Sequence, residues 1–140
     1  MSKEFIHKKL EQISVLITEL EELLRLPFSE FINKFTNVRS AERNFQLIVE
    51  LAGDINNHIS LELGKSAPDT YRQSFQELQK LGIIPQKILG DLIKSANLRN
   101  ILIHEYDFDG DNFIFYKSAK KFMPVYREYC FSIQKYLEKK

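Results

Sequence analysis

Ala41-Glu42-Arg43-Asn44-Phe45-Gln46-Leu47-Ile48-Val49-Glu50-Leu51-Ala52-Gly53-Asp54-Ile55-Asn56-Asn57-His58-Ile59 is the stretch that decides the fold. Ala41, Phe45, Ile48, Ala52, Ile55 and Ile59 recur at alternating spacings of four and three, the period of one face of an α-helix. Arg43, Gln46, Glu50, Asp54 and Asn57 make a second, polar stripe along the same helix. A polar stripe is ordinarily a solvated face whose neighbours one turn apart touch loosely. Alternatively it faces other functional groups and orients them, with Glu50 or Asp54 holding a guanidinium or an imidazole.

The same period extends in both directions. Phe5/Ile6, Leu10, Ile13, Leu16/Ile17, Leu20 and Leu23/Leu24 predict a first long helix. Pro27 interrupts it, and Ser29 is placed to cap a short restart through Phe31 and Ile32. The second helix fades at Gly64, and Lys65 to Pro68 reads as a loop. A shorter helix is expected from Asp69/Thr70 through Phe75 and Leu78 to a stop at Gly82. Pro85 suits the first turn of the next helix, which carries Ile88/Leu89, Leu92/Ile93, Ala96 and Ile101 to Ile103. Asp107 to Asn112 reads as a loop, with Asp109 or Asp111 capping a last helix from about Phe113 to Leu137. Pro124 predicts a kink in that helix or a late start. No segment sustains strand alternation, so the expected fold is all-α. It is an up-and-down bundle of four long helices, with a shorter helix between the second and third.

At 140 residues the chain reads as a single domain, 1–140. Twenty basic against nineteen acidic residues give a formal net charge of +1, so any nucleic-acid contact must come from local clustering. Lys117, Lys120, Lys121 and Arg127 form such a cluster, which matters for RNA only if it lies beside the functional residues. One cysteine, Cys130, excludes an intramolecular disulfide. The charged, amphipathic start does not resemble a signal peptide, and no apolar run reaches the length of a membrane span. The expectation is a cytoplasmic protein with no membrane partner and no cofactor.

Chemistry-bearing residues concentrate at Arg99-Asn100-Ile101-Leu102-Ile103-His104-Glu105-Tyr106. Arginine clamps phosphate with a planar fork of donors, histidine moves protons near neutral pH, and tyrosine offers a modifiable hydroxyl. Together they form a kit for cleaving a phosphodiester without a metal. Arg99 and His104 are five apart, about 140° around an ideal helix. They converge only if the helix ends near Ile103, or if two copies of the chain meet. A basic residue at a helix C-terminus is also simply favoured by the macrodipole. Asp54 and His58, four apart, have metal-ligand spacing but no third ligand at matching distance. The acidic loop has its glycine at the fourth position and Ser118 at the twelfth, unlike a calcium loop.

Arg99-Asn100, His104 and Tyr106 resemble the R-N-x3-H-x-Y form of the R-x4-H-x-Y motif of HEPN-domain proteins, specifically HepT-like toxins. The resemblance covers nearly the whole chain in helix order. Arg43 and Glu50 fall where that family has an Arg and an acid on its second long helix. Asn97 stands where many relatives have glycine, a position asparagine tolerates. The resemblance implies a metal-independent endoribonuclease, the toxin of a toxin–antitoxin pair, acting as a homodimer whose motifs line a shared cleft. It implies that Arg99 binds the scissile phosphate and His104 is the general acid or base. Asn100, Arg43, Glu50 and Asp54 would support them. The implied partner is a minimal nucleotidyltransferase antitoxin (MNT type) that adds AMP to Tyr106. A non-catalytic helical module that docks a nucleotidyltransferase or a nucleotide is the alternative reading. Metal-dependent hydrolysis through Asp54 and His58 is a third.

Overall fold

The computed structural model describes residues 2–104 and 112–139, without the side chains of Ser2 and His104. The described residues form α1 (Ser2–Leu24), α2 (Phe28–Phe31), α3 (Phe35–Glu62), α4 (Tyr71–Lys80), α5 (Gln86–His104) and α6 (Asn112–Glu138). Four long helices and a shorter α4 between the second and third of them match the periodicity. Among the described residues there is no strand, and no helix is long and apolar enough to cross a membrane.

The apolar stripes meet in one core. Ile13, Ile17 and Leu20 of α1 are buried with Phe45, Ile48 and Ile55 of α3, Phe75 of α4, Leu92 of α5, and Tyr126 and Ile133 of α6. Burying such side chains stabilises by roughly 1.5–3 kcal/mol each before conformational entropy is charged against it. Cross-helix contacts give the directions. Phe5 stacks on His58, Lys9 reaches Asp54, and Asn44 donates to the Leu16 carbonyl, so α1 and α3 run antiparallel. Arg127 pairs with Glu21 while Tyr116 donates to the Leu26 carbonyl, so α6 is antiparallel to α1 as well. Helix α4 bridges α3 and α5.

Helix ends follow local chemistry. Thr70 caps α4 by accepting the Gln73 N–H at 3.1 Å. Gly64 (φ 78°) and Gly82 (φ 75°) close α3 and α4 in left-handed backbone. Lys65 and Ile83 then donate back to the carbonyls of Ser60 and Leu78, the geometry that a glycine C-cap permits.

Two expectations change. Ser29 does not cap α2: the helix starts at Phe28, and the Pro27 carbonyl accepts from Glu30 and Phe31 with no side-chain cap. Proline, with its fixed φ, turns the chain before the serine is reached. Helix α6 does not start late but runs from Asn112 through Pro124. Pro124 is exposed, so water can satisfy the carbonyl that the missing N–H leaves free. The expected acidic loop and its capping aspartates at 109 and 111 lie outside the described residues.

Candidate functional site

Arg99 lies on α5 opposite the polar stripe of α3, with its side chain only 17% exposed. Its Nη2 donates to Glu50 Oε2 at 3.0 Å and its Nη1 to Asn100 Oδ1 at 3.2 Å. The guanidinium carbon sits 4.9 Å from the centre of the Tyr71 ring. A cation over an aromatic face is held by the ring quadrupole, most strongly where water is excluded. Carboxylate, amide and ring therefore fix the guanidinium from three directions.

Tyr71 opens α4 directly after the Thr70 cap. Its ring lies against Gly53 of α3, where any β-carbon would collide with ring carbons Cδ1 and Cε1. The glycine thus lets the ring settle onto α3. Burial raises the Tyr71 pKa, the Arg99 charge opposes that rise, and Glu50 and Asp54 reinforce it, so the phenol stays protonated at neutral pH. From beneath, a buried polar chain fixes the start of α4. Tyr129 donates to Asn56 Oδ1 at 2.6 Å, Asn56 donates to Ser74 Oγ at 3.0 Å, and Ser74 donates to the Tyr71 carbonyl at 2.7 Å.

Above Arg99 opens a cleft of about 400 Å³, lined by Asn57, Pro68, Asp69, Thr70, Tyr71, Arg99 and Asn100. Arg99 Nε and Asn57 Oδ1 are shielded from solvent and have no hydrogen-bond partner among the described residues. An oriented arginine with amides around it suits an oxyanion such as a phosphodiester, because its donors need no rearrangement when charge develops.

The expected site residues divide. Glu50, Arg99 and Asn100 come together, and Asn57 of the same polar stripe lines the cleft beside them. Arg43 is exposed, and among the described residues its hydrogen bond is to its neighbour Gln46, at 3.5 Å. Asp54, also exposed, pairs with Lys9 of α1 at 3.3 Å rather than with Arg99. His58 stacks on Phe5 and stands 3.7 Å from Glu62, so both members of the spacing considered for a metal are engaged with α1 or their own helix. Among the described residues no cluster of His, Cys, Asp and Glu completes a metal site around them. The basic cluster of α6 is also dispersed. Lys121 pairs with Asp91, Arg127 with Glu21, and Lys117 and Lys120 sit over Phe113 and Tyr116.

Helix α5 is described as far as His104, where the described residues stop, so the turn expected near Ile103 falls at their edge. The His104 side chain and Tyr106 lie outside the described residues. Sequence reasoning missed Tyr71. Its available signals were an aromatic beside a helix cap and a lone glycine one turn after Glu50.

A family model described as ribonuclease HepT-like matches residues 13–133. The chain belongs to that family. Among HepT-like relatives, a tRNA nuclease HepT of Aphanizomenon flos-aquae is 32% identical over 110 residues, 79% of this chain and 75% of the relative. An mRNA nuclease HepT of Shewanella oneidensis is 36% identical over 78 residues, 56% of this chain and 59% of the relative. In three dimensions the chain is similar to a tri-AMPylated Shewanella oneidensis HEPN toxin solved in complex with MNT antitoxin. That match has a TM-score of 0.83 and 26% identity, and covers 93% of this chain and 96% of the toxin.

Proposed function

We propose that this HepT-like chain is a metal-independent endoribonuclease toxin, held in check by a nucleotidyltransferase antitoxin. The observation that carries the proposal is Arg99, fixed by Glu50, Asn100 and Tyr71 at the floor of a polar cleft, in a chain of the ribonuclease HepT-like family. In this reading Arg99 binds the scissile phosphate and stabilises the charge that builds on it. His104 removes the ribose 2′-hydroxyl proton or protonates the leaving oxygen. The 2′-oxygen attacks phosphorus and the bond to the 5′-oxygen breaks, leaving a cyclic phosphate and a 5′-hydroxyl. No metal is needed, because the arginine supplies the positive charge and the histidine moves the proton. Glu50 and Asn100 hold the arginine, with Arg43 and Asp54 at the margin of the same polar face.

The positions of Arg99 and His104 on one continuous helix differ by about 140°, which supports a cleft shared between two copies. Exposed Ile101 at the end of α5, and Phe113 and Ile114 at the start of α6, offer apolar surface that a second copy would cover. The partner reading rests on the complex formed by the Shewanella oneidensis toxin. AMP added to Tyr106, seven positions after Arg99 in sequence, would add phosphate charge that competes with RNA for Arg99.

The test is cleavage of tRNA and of mRNA in the presence of chelator. The wild type should cut, and Arg99→Ala should slow cutting by about 10²–10³-fold. His104→Ala should slow it by about 10²–10⁴-fold. Equal rates in all three, or a wild type active only with a divalent ion, contradict the proposal. For the partner, intact mass after co-expression with an MNT-type nucleotidyltransferase should rise in AMP units, and Tyr106→Phe should abolish the increment. An unchanged wild-type mass contradicts regulation by AMP addition.

A further inference from the structure

We infer that Tyr71 is the residue that positions Arg99 for reaction, through the face of its ring, and that Gly53 is there to admit that ring. The inference rests on the proposed role of Arg99. Glu50 and Asn100 each accept from one terminal nitrogen, which still leaves the guanidinium plane able to tilt about the line between those two contacts. The Tyr71 ring, with the guanidinium carbon 4.9 Å from its centre, sets the plane in which the donors lie. The ring is itself fixed from two sides. Gly53 presents no side chain beneath it, and the Ser74–Asn56–Tyr129 hydrogen bonds hold its backbone to the core. Tyr71 also lines the cleft with Arg99 and Asn100, so the platform lies where the phosphodiester is proposed to bind. Its hydroxyl has no part in this role; the face of the ring does the positioning.

The experiment compares wild type, Tyr71→Phe and Tyr71→Leu in RNA cleavage. It also records the nitrogen–proton NMR signal of Arg99 Nε, identified by its loss in Arg99→Lys. Ring currents displace a proton held over an aromatic face, so wild type and Tyr71→Phe should share an upfield Arg99 signal. In Tyr71→Leu that signal should move to the position of a free arginine. Cleavage by Tyr71→Phe should stay within about twofold of wild type, while Tyr71→Leu should lose about tenfold in kcat with KM little changed, as expected when transition-state contacts are lost. An Arg99 signal that is the same in Tyr71→Leu and wild type overturns the inference, even if activity falls. Phenylalanine failing as badly as leucine overturns it too, by assigning the role to the hydroxyl. A wild type that cuts no RNA under any condition defeats the ribonuclease reading instead, and the NMR comparison still decides whether Tyr71 positions Arg99.

Discussion

Arg99 faces two demands that oppose each other at the scale of the residue. In the proposed ribonuclease it must stay charged and oriented with its side chain only 17% exposed, and it must still attract a phosphate. Glu50 serves the first demand and works against the second, because its carboxylate competes for the same donors. Glu50→Gln keeps an acceptor but removes the competing charge. The expected result is a lower KM for RNA with kcat reduced about three- to tenfold, as orientation loosens while attraction grows. Steady-state kinetics at fixed ionic strength check it, and a raised KM would show that the carboxylate assists RNA binding. Cys130 illustrates a reactive group kept inert. Burial pushes its thiol up to about 12, although the nearby Arg127 charge opposes the shift, so almost no thiolate exists at neutral pH. Alkylation of the native protein at neutral pH should be slower than that of the unfolded chain by at least about tenfold. Because the folded pKa is raised, this burial favours the fold below pH 9 and its contribution is lost as pH rises from 9 towards 12.

Helix α4 is short, and what holds it in place comes from its neighbours. Its N-terminus is held by the Thr70 cap and by the chain of hydrogen bonds from Tyr129 through Asn56 and Ser74. Tyr129→Phe removes the hydroxyl from Asn56 Oδ1 and leaves that oxygen buried without a donor. Loss of about 1–3 kcal/mol is expected in urea unfolding. A loss below about 0.5 kcal/mol would mean that the Asn56 side chain is already satisfied elsewhere. Because the chain ends on the Tyr71 backbone, the same variant should also reduce RNA cleavage by a few fold in protein that remains folded.

At the scale of the molecule, the fold was legible because an apolar residue every three or four positions admits one answer. The stripe from Ala41 to Ile59 and most of its counterparts in α1, α5 and α6 are the buried faces, while Phe5 and Ile101, near helix ends, are exposed. Helix ends were legible where glycine or a capping threonine stood, with stops at Gly64 and Gly82 and a start at Thr70. Ser29 misled because a proline two residues earlier had already turned the chain. The site was half legible. Glu50 and Arg99 lie 49 positions apart, and their ion pair follows from how α3 packs on α5, which periodicity suggests but does not fix. Asp54 could be expected at Arg99 on the same grounds, yet α1 supplies Lys9 first. Tyr71 was invisible, because its importance lies in a ring resting on a glycine of another helix.

The central claim is that Arg99 and His104 cut RNA without a metal in a cleft made by two copies. Mixing tests it most directly. Arg99→Ala and His104→Ala are purified separately, combined under conditions that allow subunits to exchange, and assayed for RNA cleavage in chelator against wild type and each variant alone. Both single variants should be nearly inactive. The mixture should recover a substantial fraction of wild-type activity, because each mixed dimer carries one intact arginine and one intact histidine facing a common cleft. A mixture no more active than the single variants, beside an active wild type, would contradict the shared site.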